Sequence, residues 1–173
     1  MAAILADRVD LVHRPADVSD VAEDADTLEG NARLKGVAIC AATGLPAVAD
    51  DTGLEVLALG GAPGVRSARY AGEAATYEDN RRKLLGALAD IDDRRAAFRT
   101  CVVVVWPDGR ELVVEGVCLG TITRDERGSR GFGYDSVFVP DDGDGRTFAE
   151  MGEGEKHRVS HRGRALRNLV AAL

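Results

Sequence analysis

The chain has 173 residues, of which 45% are hydrophobic and 29% charged, with a formal net charge of -7. This size and mixture suit one globular domain spanning residues 1–173. The acidic balance argues against a nucleic-acid or membrane partner, because binding a polyanion rests on a basic stripe that releases counterions.

Met1 to Asp7 reads as the last turns of a helix and leads into an expected strand at Val9 to Val12. Residues Thr27 to Thr43 place Leu28, Leu34, Val37, Ala38 and Ala41 at helical spacings, with Gly44 and Pro46 as stop signals. Ala47 to Ala49 follow as a short buried strand ending in the paired carboxylates Asp50-Asp51. Beyond the glycine loop Gly60-Gly61-Ala62-Pro63-Gly64, Thr76 and Asp79 form an Asp-bearing capping box for a helix to about Ala89. The valine-rich run Ala96 to Trp106, the turn Pro107-Asp108-Gly109 and the alternating run Glu111 to Ile122 predict a hairpin. Phe132 to Pro140 reads as a further strand, and Ser160 to Leu173 closes the chain as a helix. Cys40, Cys101 and Cys118 fit neither a CxxC pair nor a zinc pattern and read as buried free thiols in a reducing compartment. No stretch approaches the roughly 18 apolar residues of a membrane span, so a cytoplasmic protein is expected.

Four segments carry residue types suited to phosphate chemistry. Adjacent residues on a strand point to opposite faces, so one of Asp50 and Asp51 meets a divalent cation directly. Asp51 is the choice, with Asp50 in the turn or behind the ligand; an Asx-type turn is the plainer alternative. Mg2+ is held by one or two carboxylates together with phosphates and waters, and Glu23, in the acidic run Asp20 to Asp26, is the expected second ligand, with Glu29 open as another. The cations between Lys156 and Arg164, with Ser160 placed to cap a helix, form either an anion site or a solvated face. Phe132-Gly133-Tyr134-Asp135 offers an aromatic face beside glycines that admit a ligand closely, or else a bulge whose rings fill the core.

Read in order, Asn31-Ala32-Arg33-Leu34-Lys35, Val48 to Leu54, Leu59 to Gly64, Ser67-Ala68-Arg69-Tyr70, Gly131 to Asp135, Glu155-Lys156 and Ser160 to Leu166 resemble the Ham1/inosine triphosphatase family. The resemblance spans nearly the whole chain. It implies an α/β fold in which an elongated mixed β-sheet, flanked by helices, forms two lobes around a central cleft, usually as a homodimer. It also implies Mg2+-dependent hydrolysis of dITP, ITP and XTP to the monophosphate and pyrophosphate, which cleanses the nucleotide pool. Carried over by motif, Asp51 is the catalytic acid/base and metal residue. Thr52 and Arg69 contact substrate, and Lys35 and Lys156 hold phosphates. Phe132, Gly133, Tyr134 and Asp135, with His161 and Arg162, shape the base pocket.

The family also opens with a strand and a Ser/Thr-Gly-Asn-x-x-Lys loop that grips the triphosphate. Met1 aligns with the helix after that loop, and a start assigned too far downstream is expected in preference to a genuine loss. Gly30 stands where many relatives have glutamate, and Ser136 follows Asp135 where proline is usual, which is expected to loosen the loop under the base. Two alternatives remain: a catalytically impaired remnant that still binds nucleotides, and a Maf-like pyrophosphatase acting on modified pyrimidine nucleotides.

Overall fold

The computed structural model describes residue 5, residues 8–16 and residues 18–173. The first helix, α1 (Leu28–Thr43), begins where the Thr27 hydroxyl accepts the Gly30 N–H and ends at Gly44, whose left-handed φ of 66° turns its N–H back to the Cys40 carbonyl. Leu28, Ala32, Gly36 and Cys40 recur every fourth residue along its buried side. That line packs on Ala47, Cys101, Val103 and Val105 of the sheet. Asn31 and Lys35 lie one position before Ala32 and Gly36, and their side chains reach the functional end of the neighbouring strand.

That strand, β1 (Ala47–Val56), runs well past the short Ala47 to Ala49 segment expected from sequence. Asp50-Asp51-Thr52-Gly53 has the composition of a turn, yet it stays extended because it is paired antiparallel to β3 (Arg95–Val105) from Ala47↔Val105 to Val56↔Ala96. Asp50 and Asp51 therefore do not terminate the strand. They sit inside it and, as the two-residue period requires, point to opposite faces.

The central strand β3 is buried on both faces. Cys101 and Val103 face α1, while Val102 and Val104 face a second core closed by α4 (His161–Ala172) through Ala165, Leu166 and Leu169. Full burial of a valine or leucine contributes about 1.5–3 kcal/mol relative to exposure, so this two-sided run anchors the fold. β3 turns into β4 (Glu111–Ile122) through the predicted hairpin, with Gly109 at φ 84° in the turn. The helix seats tightly on β4 because residue 116 is glycine: a Cβ there would come within 2.2 Å of the His161 carbonyl oxygen and the Ala165 nitrogen.

The sheet is completed by β2 (Pro63–Gly64) beside β1 and β5 (Phe138–Pro140) beside β4, in the order β2-β1-β3-β4-β5. The α/β class is as expected, but every pairing among the described strands is antiparallel, not mixed. A third core gathers Leu54, Val56, Leu84, Phe98, Phe138 and Phe148 under α2 (Tyr77–Ala87), whose Thr76/Asp79 capping box is fully formed. Between β5 and α4 lies a short helix, α3 (Glu153–Val159), absent from the sequence reading.

Two other expectations are corrected. Val9 to Val12 form no strand; Val9, Leu11 and Val12 are exposed and unpaired with the sheet. Phe132 to Val137 form turns, and only Phe138–Pro140 joins the sheet. The left-handed Gly131 and Gly133 and the bond from the Phe132 N–H to Asp135 break any ladder there. The expected terminal helix of Met1 to Asp7 falls almost entirely outside the described residues; Leu5 is buried against Val102, Leu166 and Leu169. Cys40, Cys101 and Cys118 are buried free thiols. Burial pushes the Cys101 and Cys118 thiols up to about 11, so neither is a nucleophile near neutral pH. Among the described residues no helix is long and apolar enough to cross a membrane.

Candidate active site

A cavity of about 650 Å³ opens between the α1/β1 side of the sheet and the segments that run from Arg130 through α3 into α4. Its volume lies within the ~300–1,000 Å³ usual for small-molecule sites. One end is acidic. Asp51 projects from β1 toward α1, where its Oδ1 is 2.9 Å from the Lys35 ammonium, while Glu23 Oε1 approaches the same ammonium at 3.0 Å. Asn31 binds the other Asp51 oxygen at 3.4 Å, and its own carbonyl accepts the Ala25 N–H, tying the acidic loop to the helix.

Burial raises the Asp51 carboxyl above the ordinary aspartate range, against the opposing pull of Lys35, and the charge of Glu23 adds to the rise. Burial also works to lower Lys35, but its bonds to Asp51 and Glu23 outweigh that effect and hold the ammonium above its usual value. The pair is thus a basic carboxylate held beside a fixed cation. Two carboxylate oxygens converging on one positive charge are the donor set that Mg2+ takes from a protein, with phosphates and waters supplying the remainder. Asp51 and Glu23 fit that role, whereas Glu29 is engaged by Arg33 at 2.5 Å and does not line the cavity. Among the described residues no group of three or more His, Cys, Asp or Glu side chains is gathered to hold a metal ion, here or elsewhere, so the protein's share at this site is the two carboxylates.

The opposite end is cationic and aromatic. Lys156 of α3, expected to hold phosphates, lies at this end instead, 2.5 Å from Asp135 and within 5.3 Å of the Phe132 ring centre and 5.5 Å of that of Phe148. Asp135 also accepts the Phe132 N–H at 2.8 Å, which fixes the loop. Gly131 is required here: it holds φ 75°, and a Cβ would lie 2.0 Å from the Asp135 carboxylate. Tyr134 is buried with its hydroxyl donating to the Ser67 carbonyl, and burial raises its pKa.

At the start of α4, Ser160 caps the helix by accepting the Gly163 N–H. The next two residues then enter the cavity. Arg162 directs Nε and Nη2 at one oxygen of Asp50, at 2.8 and 2.7 Å, across the sheet face opposite Asp51. Asp50 therefore orients an arginine and supports no turn. His161 stacks on Phe98, with ring centres 4.4 Å apart, and is buried. Burial, reinforced by the charges of Arg162 and Lys156, lowers its pKa to about 3, so the imidazole is neutral at working pH. Its Nδ1 has no hydrogen-bond partner among the described residues. The residue lines the cavity, while Nδ1 itself is shielded from solvent.

The structure thus brings Glu23, Lys35, Asp51, Thr52, Phe132, Gly133, Tyr134, Asp135, Lys156, His161 and Arg162 to one cavity. Thr52 shares a 2.7 Å hydroxyl contact with Thr100. Arg69, expected to contact substrate, is the exception: it lies outside the lining and donates Nη2 to the Glu23 carbonyl at 2.7 Å. The sequence reading missed Asp50 as a partner of Arg162, and it missed Tyr77 and Arg130, which also line the cavity. Ser136, expected to loosen its loop, donates its hydroxyl to Glu126 at 2.9 Å.

Comparison with known proteins adds to this geometry. A family model described as Ham1 family matches residues 1–172. A dITP/XTP pyrophosphatase of Syntrophobacter fumaroxidans is 48% identical over 92% of this chain and 72% of its own length. One from Porphyromonas gingivalis is 51% identical over 87% of this chain and 77% of its length. Among solved structures, the Staphylococcus aureus Ham1 protein superposes with a TM-score of 0.83 at 41% identity, covering 88% of this chain and 79% of that one.

Proposed function

The chain belongs to the Ham1 family, and from that membership we propose that it hydrolyses non-standard purine nucleoside triphosphates, namely dITP, ITP and XTP, to the monophosphate and pyrophosphate. One observation carries the reading: the Glu23–Lys35–Asp51 cluster and the Phe132, Lys156, His161 and Arg162 group face one another across a single cavity. A triphosphate at the first and a purine at the second span it in the order the nucleotide requires.

In this reading water attacks the α-phosphorus, its oxygen joins the monophosphate, and the bond to the bridging oxygen breaks to release pyrophosphate. Asp51, made more basic by burial, takes the proton from that water as it attacks. Lys35, relieved of one carboxylate contact, turns to the phosphate oxygens as a mobile point charge. Mg2+, held by Asp51 and Glu23, would supply charge neutralisation on those oxygens. Arg69 keeps Glu23 in reach through the carbonyl contact.

Base selection rests on the other end. Arg162 has two nitrogens engaged by Asp50, which aims the remaining edge of its fork into the cavity. Hypoxanthine and xanthine offer an oxo acceptor where adenine carries an amino group. Adenine would leave the facing donor unpaired, at a cost of about 1–3 kcal/mol. Homodimer formation belongs to the same reading, and exposed Leu34 and Val37 on the outer side of α1 offer apolar surface for it. The test is turnover of ITP and XTP with Mg2+ beside ATP and GTP: IMP and XMP with pyrophosphate support the reading. Release of orthophosphate, or equal turnover of ATP, contradicts it.

A further inference from the structure

We propose that Tyr77 and Phe132 form an aromatic clamp on the nucleobase, with Tyr77 as a wall supplied by α2. The proposal rests on the nucleotide reading above and adds a residue to it.

Both rings line the cavity, and both are half open to solvent, Tyr77 at 53% and Phe132 at 57%. The other large rings at this end behave differently: Phe98, Phe138 and Phe148 are interlocked and buried. Tyr77 and Phe132 face each other with centres 6.1 Å apart and planes tilted by 38°. A flat base held between two rings needs about 7 Å, twice the ~3.5 Å contact distance. With centres 6.1 Å apart the two rings are within the range of direct contact with each other, so a base enters only when they part. Both rings are half exposed, which leaves their side-chain torsions room to part.

The frame of the clamp is rigid where the rings are free. Arg81 lies one turn beyond Tyr77 on α2, on the same side of the helix. Its Nη1 donates to the Gly133 carbonyl at 3.0 Å, and its Nε donates to Glu126 at 2.9 Å. Glu126 in turn accepts the Ser136 hydroxyl at 2.9 Å. Helix and loop are thereby tied on both sides of Phe132, so the span between the walls is set by the fold and the closure by side-chain torsions.

Stacking tolerates any substituent on the base edge. The clamp therefore supplies affinity for a purine, and discrimination stays with the polar groups around His161 and Arg162. Tyr77 is a surface residue outside the capping box of α2, which Thr76 and Asp79 form, so its replacement leaves the helix intact.

The test is calorimetric binding of IMP and of ribose phosphate, which lacks a base, to the wild-type chain, Tyr77→Phe and Tyr77→Ala, with melting temperatures recorded. Tyr77→Phe should bind IMP within about twofold of wild type and Tyr77→Ala about tenfold more weakly, as removal of one stacking wall requires. Ribose phosphate should bind all three alike. Unchanged IMP binding in Tyr77→Ala, or equal loss of IMP and ribose phosphate, overturns the clamp. Turnover of ITP by the wild type is scored separately: its absence with IMP binding retained counts against the hydrolytic reading, while the Tyr77 comparison still decides the clamp. Failure of IMP to bind the wild type overturns both.

Discussion

Lys35 Nζ lies 2.9 Å from Oδ1 of Asp51, and both groups are held above their ordinary pKa, Asp51 by burial and Lys35 by its carboxylate contacts. A buried carboxylate kept basic beside a cation costs stability and serves chemistry. Asp51→Asn should therefore lower kcat for ITP by about 10²–10⁴-fold, the range for loss of a general base. Its melting temperature should stay at or above that of the wild type, because the raised pKa marks the ionised form as disfavoured by folding. Steady-state kinetics with calorimetric melting checks both. A large fall in melting temperature would show that Asp51 is structural.

The acid response of stability should carry the signature of His161. Its pKa falls from an ordinary 6.5 to about 3 on folding, so between those values the unfolded chain binds a proton that the folded chain does not. Folding free energy from this residue is fully present above pH ~6.5 and declines as pH falls toward ~3, at about 1.4 kcal/mol per pH unit. Urea unfolding at several pH values should show this slope in the wild type and a shallower one in His161→Gln. Equal slopes would mean that the imidazole protonates in the folded state.

Arg69 lies outside the cavity lining and donates to the Glu23 carbonyl, and the proposed role is to hold the acidic loop. Arg69→Ala removes a charged hydrogen bond of about 1.5–3 kcal/mol and lets the acidic loop drift. The Mg2+ concentration for half-maximal activity should rise by about tenfold or more, with kcat at saturating metal changed by less than threefold. A metal titration at fixed ITP measures this, and a loss confined to the KM for ITP would return Arg69 to the substrate contacts.

Much of the fold was legible where one segment carries its own signal. Thr27 and Gly44 mark the ends of α1, Thr76 and Asp79 the start of α2, and Pro107-Asp108-Gly109 the hairpin turn, because caps and turns are local chemistry. The length of β1 was hidden, since Asp50-Asp51-Thr52-Gly53 reads as a turn and is extended by its register against β3. The loop Phe132 to Val137 was misread for the opposite reason: its aromatic and β-branched residues suit a strand, but Gly131, Gly133 and Asp135 fold it back. α3 escaped notice because it has seven residues and carries Gly154 in its first turn.

At the site, residue types and motif order located the cluster but not the partners. Asp50 meets Arg162 across 112 positions, a pairing that neither segment announces. Arg69 carried the charge expected of a phosphate contact, and its tethering role depends on where the acidic loop passes. Tyr77 and Arg81 sit in a polar helix as ordinary surface residues; their one-turn spacing was a signal available in advance, but it acquires meaning when the Gly133 loop is seen beside them.

The central claim, that water is directed at the α-phosphorus within this cavity, is tested most directly by hydrolysing ITP in isotopically labelled water with Mg2+ and weighing the products. The heavy oxygen should appear in IMP, with unlabelled pyrophosphate as the other product. Label in pyrophosphate, or orthophosphate released beside IDP, would contradict it.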